Sequence, residues 1–216
     1  MFNLDLLPKH ELTQVTTENG RYYIHPITGQ RFDSVTTILK RSYDQSWLEE
    51  WKERVGEEQA ETVSRLAAGT GNTLHKLMED FVLGQENDIK LSIYMRKPLR
   101  LVKEKFQRHL TDVYGVELPL YSEKLKTAGT TDLFGKWKGL NTVIDYKNSK
   151  HLKSRDDIVH YFTQASIYAS MIEELYSIEV PRIMIVMINK FDPPDFFGAD
   201  RSKYQSEIDR IFNSVA

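Results

Sequence analysis

The chain has 216 residues, of which 40% are hydrophobic and 11% aromatic, and its formal net charge is −2. This composition excludes general disorder and favours one domain with a substantial core, while the absence of cysteine excludes disulfides, thiolate zinc sites and iron–sulfur clusters. No apolar run is long enough to cross a bilayer and no targeting signal precedes the first elements, so we expect a cytoplasmic protein of a bacterium or a phage-infected cell.

The N-terminal part of the chain shows weak patterning followed by a hairpin and a helix. Residues 1–20 indicate a loosely attached arm, and residues 21–29 predict a short hairpin. Ser34 can then cap a helix that starts near Val35. Ser34 and Thr36 are candidates for contact with a phosphate group, and the alternative is that this β-branched segment is buried and structural.

Apolar residues with helical spacing predict several helices in the next region. The run from Trp47 to Val63 is divided at Gly56, and its glutamates indicate a solvated face. A further helix from Thr73 to Leu83 carries His75 beside its apolar stripe. A lone histidine in this position is more often structural than a metal ligand, so both interpretations stay open at this point.

Residues 92–114 predict a long helix with six lysines and arginines against one glutamate. This local excess of positive charge contrasts with the net charge of −2 of the whole chain. We interpret Arg96, Arg100 and Lys103 as contacts to the backbone of a nucleic acid. The alternative is an ordinary solvated helix face.

Three strands are predicted next, and two of them carry aspartates. The first runs from Val116 to Glu123, and the second and third contain Asp132 and Asp145. Alternation along a strand places Lys147 on the same face as Asp145, and a hairpin would bring Asp132 opposite Asp145. Two such acids repel each other unless a divalent cation lies between them. A strand-end ion pair between Asp145 and Lys147 is the alternative.

The C-terminal third predicts a helix, a strand and a second helix. The helix around residues 158–172 places Gln164 and Tyr168 one turn apart, in a candidate substrate site or in a hydrogen bond at the rim of the core. Residues 182–188 form a continuous apolar run typical of a strand buried on both faces. Residues 201–215 predict an amphipathic helix.

Four motifs in fixed order carry a resemblance to a known family. They are the histidine motif at His75, G-x-x-D ending at Asp132, D-x-K from Asp145 to Lys147, and Q-x-x-x-Y from Gln164 to Tyr168. In this order and on these elements they resemble the PD-(D/E)xK nucleases of the RecB type. The segment RYYIHPITGQRFDSVTTIL is similar to its counterpart in the mitochondrial genome maintenance exonucleases and their phage relatives, a branch of that superfamily.

The resemblance implies an α/β fold with a restriction-endonuclease-like core, in which helices flank a central mixed β-sheet next to an N-terminal helical region. We expect one nuclease domain over residues 1–216. Within it, residues 1–114 would form the arm and helical region, residues 115–190 the catalytic sheet and residues 191–216 the C-terminal helix.

The resemblance also implies metal-dependent hydrolysis of phosphodiester bonds with Mg²⁺ or Mn²⁺. The expected metal ligands are His75, Asp132, Asp145 and the backbone carbonyl of Tyr146. Lys147 would stabilise the attacking hydroxide, and Glu123 would support a second ion or orient water. Gln164 and Tyr168 would contact the substrate.

The implied substrate is single-stranded DNA, shortened from an end during replication, recombination or repair. We expect a monomer that does not bind membranes and that can act with replication or recombination proteins. The alternatives are a structure-specific endonuclease, an RNA-directed enzyme, a nucleic-acid-binding subunit with an idle site, and a protein–protein adaptor. Aromatic residues beside basic ones, such as Tyr161 beside His160, are compatible with base stacking and equally with core packing.

Overall fold

A computed structural model describes residues 2–150, 152–189 and 193–213. The strands are β1 (Asn3–Leu4), β2 (Thr13–Thr17), β3 (Gly20–Ile24), β4 (Arg31–Ser34), β5 (Leu110–Ser122), β6 (Thr127–Trp137), β7 (Leu140–Ser149), β8 (Arg182–Asn189) and β9 (Asp195–Asp200). The α-helices are α1 (Val35–Ser42), α2 (Ser46–Val55), α3 (Glu57–Leu83), α4 (Ile93–His109), α5 (Val159–Tyr176) and α6 (Gln205–Asn213). Short 3-10 helices cover Asp156–Ile158 and Arg201–Tyr204.

The nine strands of the described residues form one mixed sheet in the order β2-β3-β4-β6-β7-β8-β9, with β5 paired to β6 and β1 paired to β5. Strand β5 pairs along almost the whole of β6, while β4 and β7 pair with different ends of β6. Strands β7 and β8 pair in parallel and are connected through α5. Strands β6 and β7 pair antiparallel, as do β8 and β9. The predicted α/β class with a central mixed sheet flanked by helices is confirmed.

Two cores lie on opposite faces of this sheet, because alternate strand residues point to opposite sides. Val143 packs with Phe162 and other residues of α1, α5 and α6. Its neighbour Ile144 packs with Met78 and Phe106 in the core formed with α3 and α4. Strand β8 is buried on both faces, as its apolar run predicts.

The N-terminal segment is not the loosely attached arm that its sequence suggests. Asn3–Leu4 pairs in parallel with β5, and Thr13–Thr17 pairs antiparallel with β3. These strands are short and mostly exposed, so their sequences lack the alternation of apolar residues that would predict a strand. The predicted hairpin does form, from β3 and β4, and α1 begins at Val35 behind a cap at Ser34, as predicted.

Two predicted helical runs merge into α3, which continues through the glycine-containing stretch between them. A Cβ atom at Gly71 would lie 3.2 Å from the Asn148 side-chain oxygen, so this glycine allows α3 to approach the end of β7 closely. Helix α4 ends at His109 rather than at residue 114, because the following residues pair with β6 as the start of β5. Within the described residues, none of the helices combines the length and apolar character that a membrane span requires.

The C-terminal part contains a strand that the sequence analysis does not predict. Asp195–Asp200 forms β9 on the outer edge of β8. The amphipathic helix predicted over residues 201–215 consists of a 3-10 turn followed by α6, and residues 214–215 lie outside the described range.

We expect Gly135→Ala to destabilise the fold. A Cβ atom at Gly135 would lie 2.4 Å from the Asp112 carbonyl oxygen, opposite the irregular stretch of β5. Backbone atoms cannot move aside as a flexible side chain can, so we expect a loss of about 2 kcal/mol in the free energy of unfolding. Urea denaturation followed by circular dichroism measures it.

The matched control is Gly69→Ala. A Cβ atom at Gly69, inside α3, would meet no atom within 4 Å. Alanine is the better helix former, so this variant should keep its stability or gain up to about 1 kcal/mol. Equal stability of the two variants would contradict the packing described at Gly135.

Candidate active site

The candidate site lies where β6 and β7 separate. Their last ladder pair is Leu133 with Ile144, and the next residue on each strand is Asp132 and Asp145. Both aspartates are buried. The backbone N–H of Tyr146 donates a hydrogen bond of 2.7 Å to Asp132 Oδ2. The structure therefore brings the two aspartates together across the strands at the position that the hairpin predicts.

His75 extends from α3 to the same point. Its Nε2 lies 3.1 Å from the Tyr146 carbonyl oxygen, and its Nδ1 lies 3.3 Å from Asp132 Oδ1. In the neutral ring, an Nε2–H that donates to the carbonyl leaves Nδ1 as an acceptor that faces the carboxylate. The Tyr146 carbonyl, predicted as a metal ligand, lies in this group and contacts the imidazole ring.

A third acid joins the group, and it is Glu117 rather than the predicted Glu123. Glu117 lies across from Asp132 in the register of β5 and β6, and its Oε1 is 3.7 Å from His75 Nδ1. Glu123 lies six positions further on, which is roughly 20 Å along an extended chain. It is exposed and accepts a hydrogen bond from Gln30 instead. The structure therefore has Glu117, and not Glu123, beside His75 and Asp132, and a role for either glutamate at an ion or a water remains a prediction.

Strand alternation could not separate these two glutamates, because residues six positions apart point to the same face. Only the register with β6 distinguishes them, and register depends on pairing that is not visible in the sequence. The backbone of Glu117 also has a φ of 43°, in the left-handed region that non-glycine residues seldom adopt. Such a conformation at a candidate site is typical of a functional constraint.

The group fits a hard divalent cation. One ligand atom each from His75, Glu117 and Asp132 lies within 4.8 Å of the others. Two carboxylate oxygens and one imidazole nitrogen are donors that Mg²⁺ and Mn²⁺ accept, and the nitrogen favours Mn²⁺. Close by, the Asp145 carboxylate is buried, and its Oδ2 pairs with Lys147.

Lys147 forms an ion pair with Asp145, with 2.5 Å between Nζ and Oδ2. Burial raises the pKa of Asp145, and the charge of Asp132 raises it further, whereas Lys147 acts in the other direction. For Lys147, burial lowers the pKa, but the two aspartates outweigh it and the net shift is upward. The amine therefore stays protonated beside the acids.

The glutamine and tyrosine of α5 pack directly behind the aspartates. Gln164 Nε2 donates to Tyr168 Oη at 3.3 Å, and both side chains are buried. A Cβ atom at Gly129 would lie 2.7 Å from the Tyr168 ring, so the glycine of G-x-x-D makes room for the tyrosine of Q-x-x-x-Y. Their contact to a substrate remains a prediction.

Of the two hydroxyl residues predicted to meet a phosphate, only Thr36 is exposed. Ser34 is buried, and its Oγ accepts a hydrogen bond from the backbone N–H of Thr37, which caps α1. Its hydroxyl also bonds the Thr37 side chain, so no free donor is left for a phosphate. Thr36 lines a cavity that also borders Gln164.

The basic residues of α4 are in mixed environments. Arg96 is exposed, Arg100 pairs with Glu104 one turn further on, and Lys103 lies over the ring of Phe81. Two of these three cations thus already have partners in the fold. No hydrogen bond or ion pair within the described residues connects them to the acids of the site, and their role at a nucleic acid remains a prediction.

The comparisons with known proteins add a partial match in sequence. No family model matches the chain. The chain is 32% identical over 138 residues to "Mitochondrial genome maintenance exonuclease 1" of Mus musculus, an alignment covering 59% of this chain and 40% of that protein. The chain therefore spans less than half the length of this relative. The match confirms the resemblance to the mitochondrial genome maintenance exonucleases.

Two solved structures are similar at low identity. The structure named SSO0001 is 16% identical with a TM-score of 0.45, covering 84% of this chain and 72% of its own. A "Putative exonuclease" from Eubacterium rectale is 12% identical with a TM-score of 0.42, covering 68% of this chain and 69% of its own.

We expect Glu117→Gln to weaken the binding of Mn²⁺ at least about tenfold, because it removes one charged ligand from the group. Isothermal titration calorimetry measures the affinity. Glu123→Gln is the matched control, and its affinity should equal that of the wild type. A loss in Glu123→Gln with none in Glu117→Gln would contradict the assignment made from the register.

We expect metal binding to release protons and to strengthen as pH rises. Burial acts to lower the pKa of His75, but its contacts with Asp132 and Glu117 outweigh burial and raise this pKa to about 10. Below that pH the ring must lose a proton before it can bind an ion, which gives about one proton per ion. Calorimetry in buffers of different ionisation enthalpy counts the protons. His75→Gln should release fewer, and an unchanged count would contradict this role.

Proposed function

We propose that this chain is a metal-dependent nuclease that hydrolyses phosphodiester bonds of DNA. One observation carries the proposal, namely the convergence of His75, Glu117 and Asp132 beside the pair of Asp145 and Lys147 where two strands separate. A structural ion pair at a strand end would need neither the histidine nor the third acid. The partial match to a protein named as an exonuclease supports the same class of reaction.

The residues of the site would have different roles in hydrolysis. His75, Glu117 and Asp132, with Asp145 nearby, would hold a divalent cation, which when bound lowers the pKa of water and neutralises phosphate oxygens. Lys147 is protonated and fixed by Asp145, so its ammonium group can donate to the attacking water or to a phosphate oxygen and offset the charge that develops there. Gln164 and Tyr168 would help to position the strand.

We further propose that the substrate is single-stranded DNA, shortened from an end in replication, recombination or repair. The name of the sequence relative supports end-directed cleavage. The donor set supports Mn²⁺ as well as Mg²⁺. We further propose that the protein acts as a monomer, alone or with other replication or recombination proteins.

We expect purified protein to shorten linear single-stranded oligonucleotides in Mg²⁺ or Mn²⁺ and to leave circular single strands intact. The assay uses end-labelled single- and double-stranded DNA and RNA, with either terminus free or blocked. Asp132→Asn should abolish cleavage because it removes a ligand charge. Cleavage that persists in EDTA would rule out a metal-dependent reaction, cleavage of circles would assign an endonuclease, and binding without cleavage would assign an idle binding subunit.

We expect Lys147→Gln to lower the cleavage rate about a hundredfold or more while single-strand binding changes little, because a preorganised donor acts mainly in the transition state. Single-turnover kinetics and fluorescence anisotropy measure the two quantities. Lys136→Gln is the matched control, since Lys136 also lies on a strand near an acid, 3.9 Å from Asp112. Equal rates in the two variants would contradict the role given to Lys147.

A further inference from the structure

A cavity of about 750 Å³ opens beside the candidate site, between α1, α2 and the start of α5. Four aromatic side chains line it, namely Tyr43, Trp47, His160 and Tyr161. Gln164 borders the cavity and also bonds Tyr168 in the site. The cavity is therefore continuous with the residues that we place behind the aspartates.

A run of rings leads from the lysine of the site into this cavity. Lys147 Nζ lies 5.2 Å from the centre of the Tyr161 ring. The Tyr161 ring is 4.0 Å from His160, and His160 is 5.9 Å from Tyr43. Trp47 is 61% exposed, so its ring can accept a partner. A group that enters here would contact flat apolar faces while its neighbour along a strand lies at Lys147.

The charges in the cavity favour a ligand in which an uncharged ring is joined to anionic groups. Lys40 and Lys153 line it and form no ion pair within the described residues. The two acids that also line it are satisfied locally, since Asp44 accepts from the backbone and hydroxyl of Ser46 and Asp157 accepts in the same way from Ser154. Lys40 therefore remains available to a phosphate, as does Lys153, although the latter also interacts with the charge of Asp157.

We propose that this cavity is a base subsite, which holds one unpaired nucleobase next to the phosphodiester bond to be cut. The inference rests on the proposed nuclease function and specifies its substrate. An aromatic-lined cavity accepts the face of any base, which gives binding with little sequence preference. A base in a duplex must first be unpaired and unstacked, which costs free energy, so the subsite favours unpaired strands. One phosphate of this nucleotide lies at Lys147, and Lys40 and Lys153 contact the phosphate on its other side.

Trp137, another aromatic residue beside basic ones, offers no equivalent site. Trp137 lies between Lys136 and Lys138 in sequence, but its side chain is 8% exposed and packs on Phe106 and Phe196 in the core. Its ring faces are thus covered by the protein itself. The rings around the cavity differ from Trp137 in two ways: they extend to the candidate site, and one of them, Trp47, is exposed.

The test uses inactive Asp132→Asn protein and a labelled single-stranded oligonucleotide with one abasic position moved along it. We expect one position near the end at which the missing base weakens binding about tenfold, the size of a single stacking contact. Trp47→Ala in the same background should weaken binding of the intact strand by a similar factor and remove the effect of the abasic position. Trp47→Phe should restore both the binding of the intact strand and the effect of the abasic position. Ile27→Ala, a change at a side chain that is 89% exposed in the β3–β4 turn, is the control and should change nothing.

An abasic effect that is equal at all positions, or one that persists in Trp47→Ala, would overturn the base subsite. Cleavage by the wild-type protein is measured separately. Cleavage without any position-dependent effect would reject the subsite and leave the nuclease standing. A position-dependent effect that requires Trp47, in a protein that does not cleave, would support the subsite and reject the nuclease.

Discussion

The candidate site depends on one buried hydrogen bond, donated by the backbone N–H of Tyr146 to Asp132 Oδ2. Strands β6 and β7 pair as far as Leu133 and Ile144 and then separate, so β6 offers this N–H no backbone acceptor. A buried donor without a partner costs about 1–3 kcal/mol, and the aspartate carboxylate removes that cost. In return, the bond fixes one oxygen of Asp132 and turns the other toward His75, at 3.3 Å.

The motif residues around this bond are explained partly by packing and partly by chemistry. The glycine of G-x-x-D carries no chemistry of its own, and its role is to admit the Tyr168 ring behind the aspartates. Gly71 has a similar role on the other face, since it lets α3 approach Asn148 at the end of β7. His75 lies four residues after Gly71, one turn further along α3, so this close approach directs the imidazole to the site. His75 thus reaches the aspartates from the α3 side of the sheet, and Tyr168 packs near them from the α5 side.

The sequence predicts those parts of the site that follow from local periodicity. Alternation along a strand was sufficient to place Asp145 with Lys147, and helical spacing was sufficient to place Gln164 with Tyr168. Glu117 could not be chosen over Glu123 in this way, because the predicted strand over residues 116–123 places both on one face, and only the observed pairing, in which β5 ends at Ser122, separates them. The pairing of β1 and β2 was equally hidden, since it is made by backbone groups of mostly exposed residues.

The arrangement of charge explains why a nuclease site is compatible with a chain of net charge −2. The three carboxylates of the site would repel a phosphate if nothing neutralised them, and one lysine with one histidine cannot do so fully. A divalent cation reverses the sign of the potential at this point without any excess of basic residues elsewhere. In the proposed subsite, the ring faces that run from Tyr161 to Tyr43 would add contacts to the strand that do not depend on charge. Phosphate and base would thus be bound by different physical forces at adjoining places, with Lys147 between them.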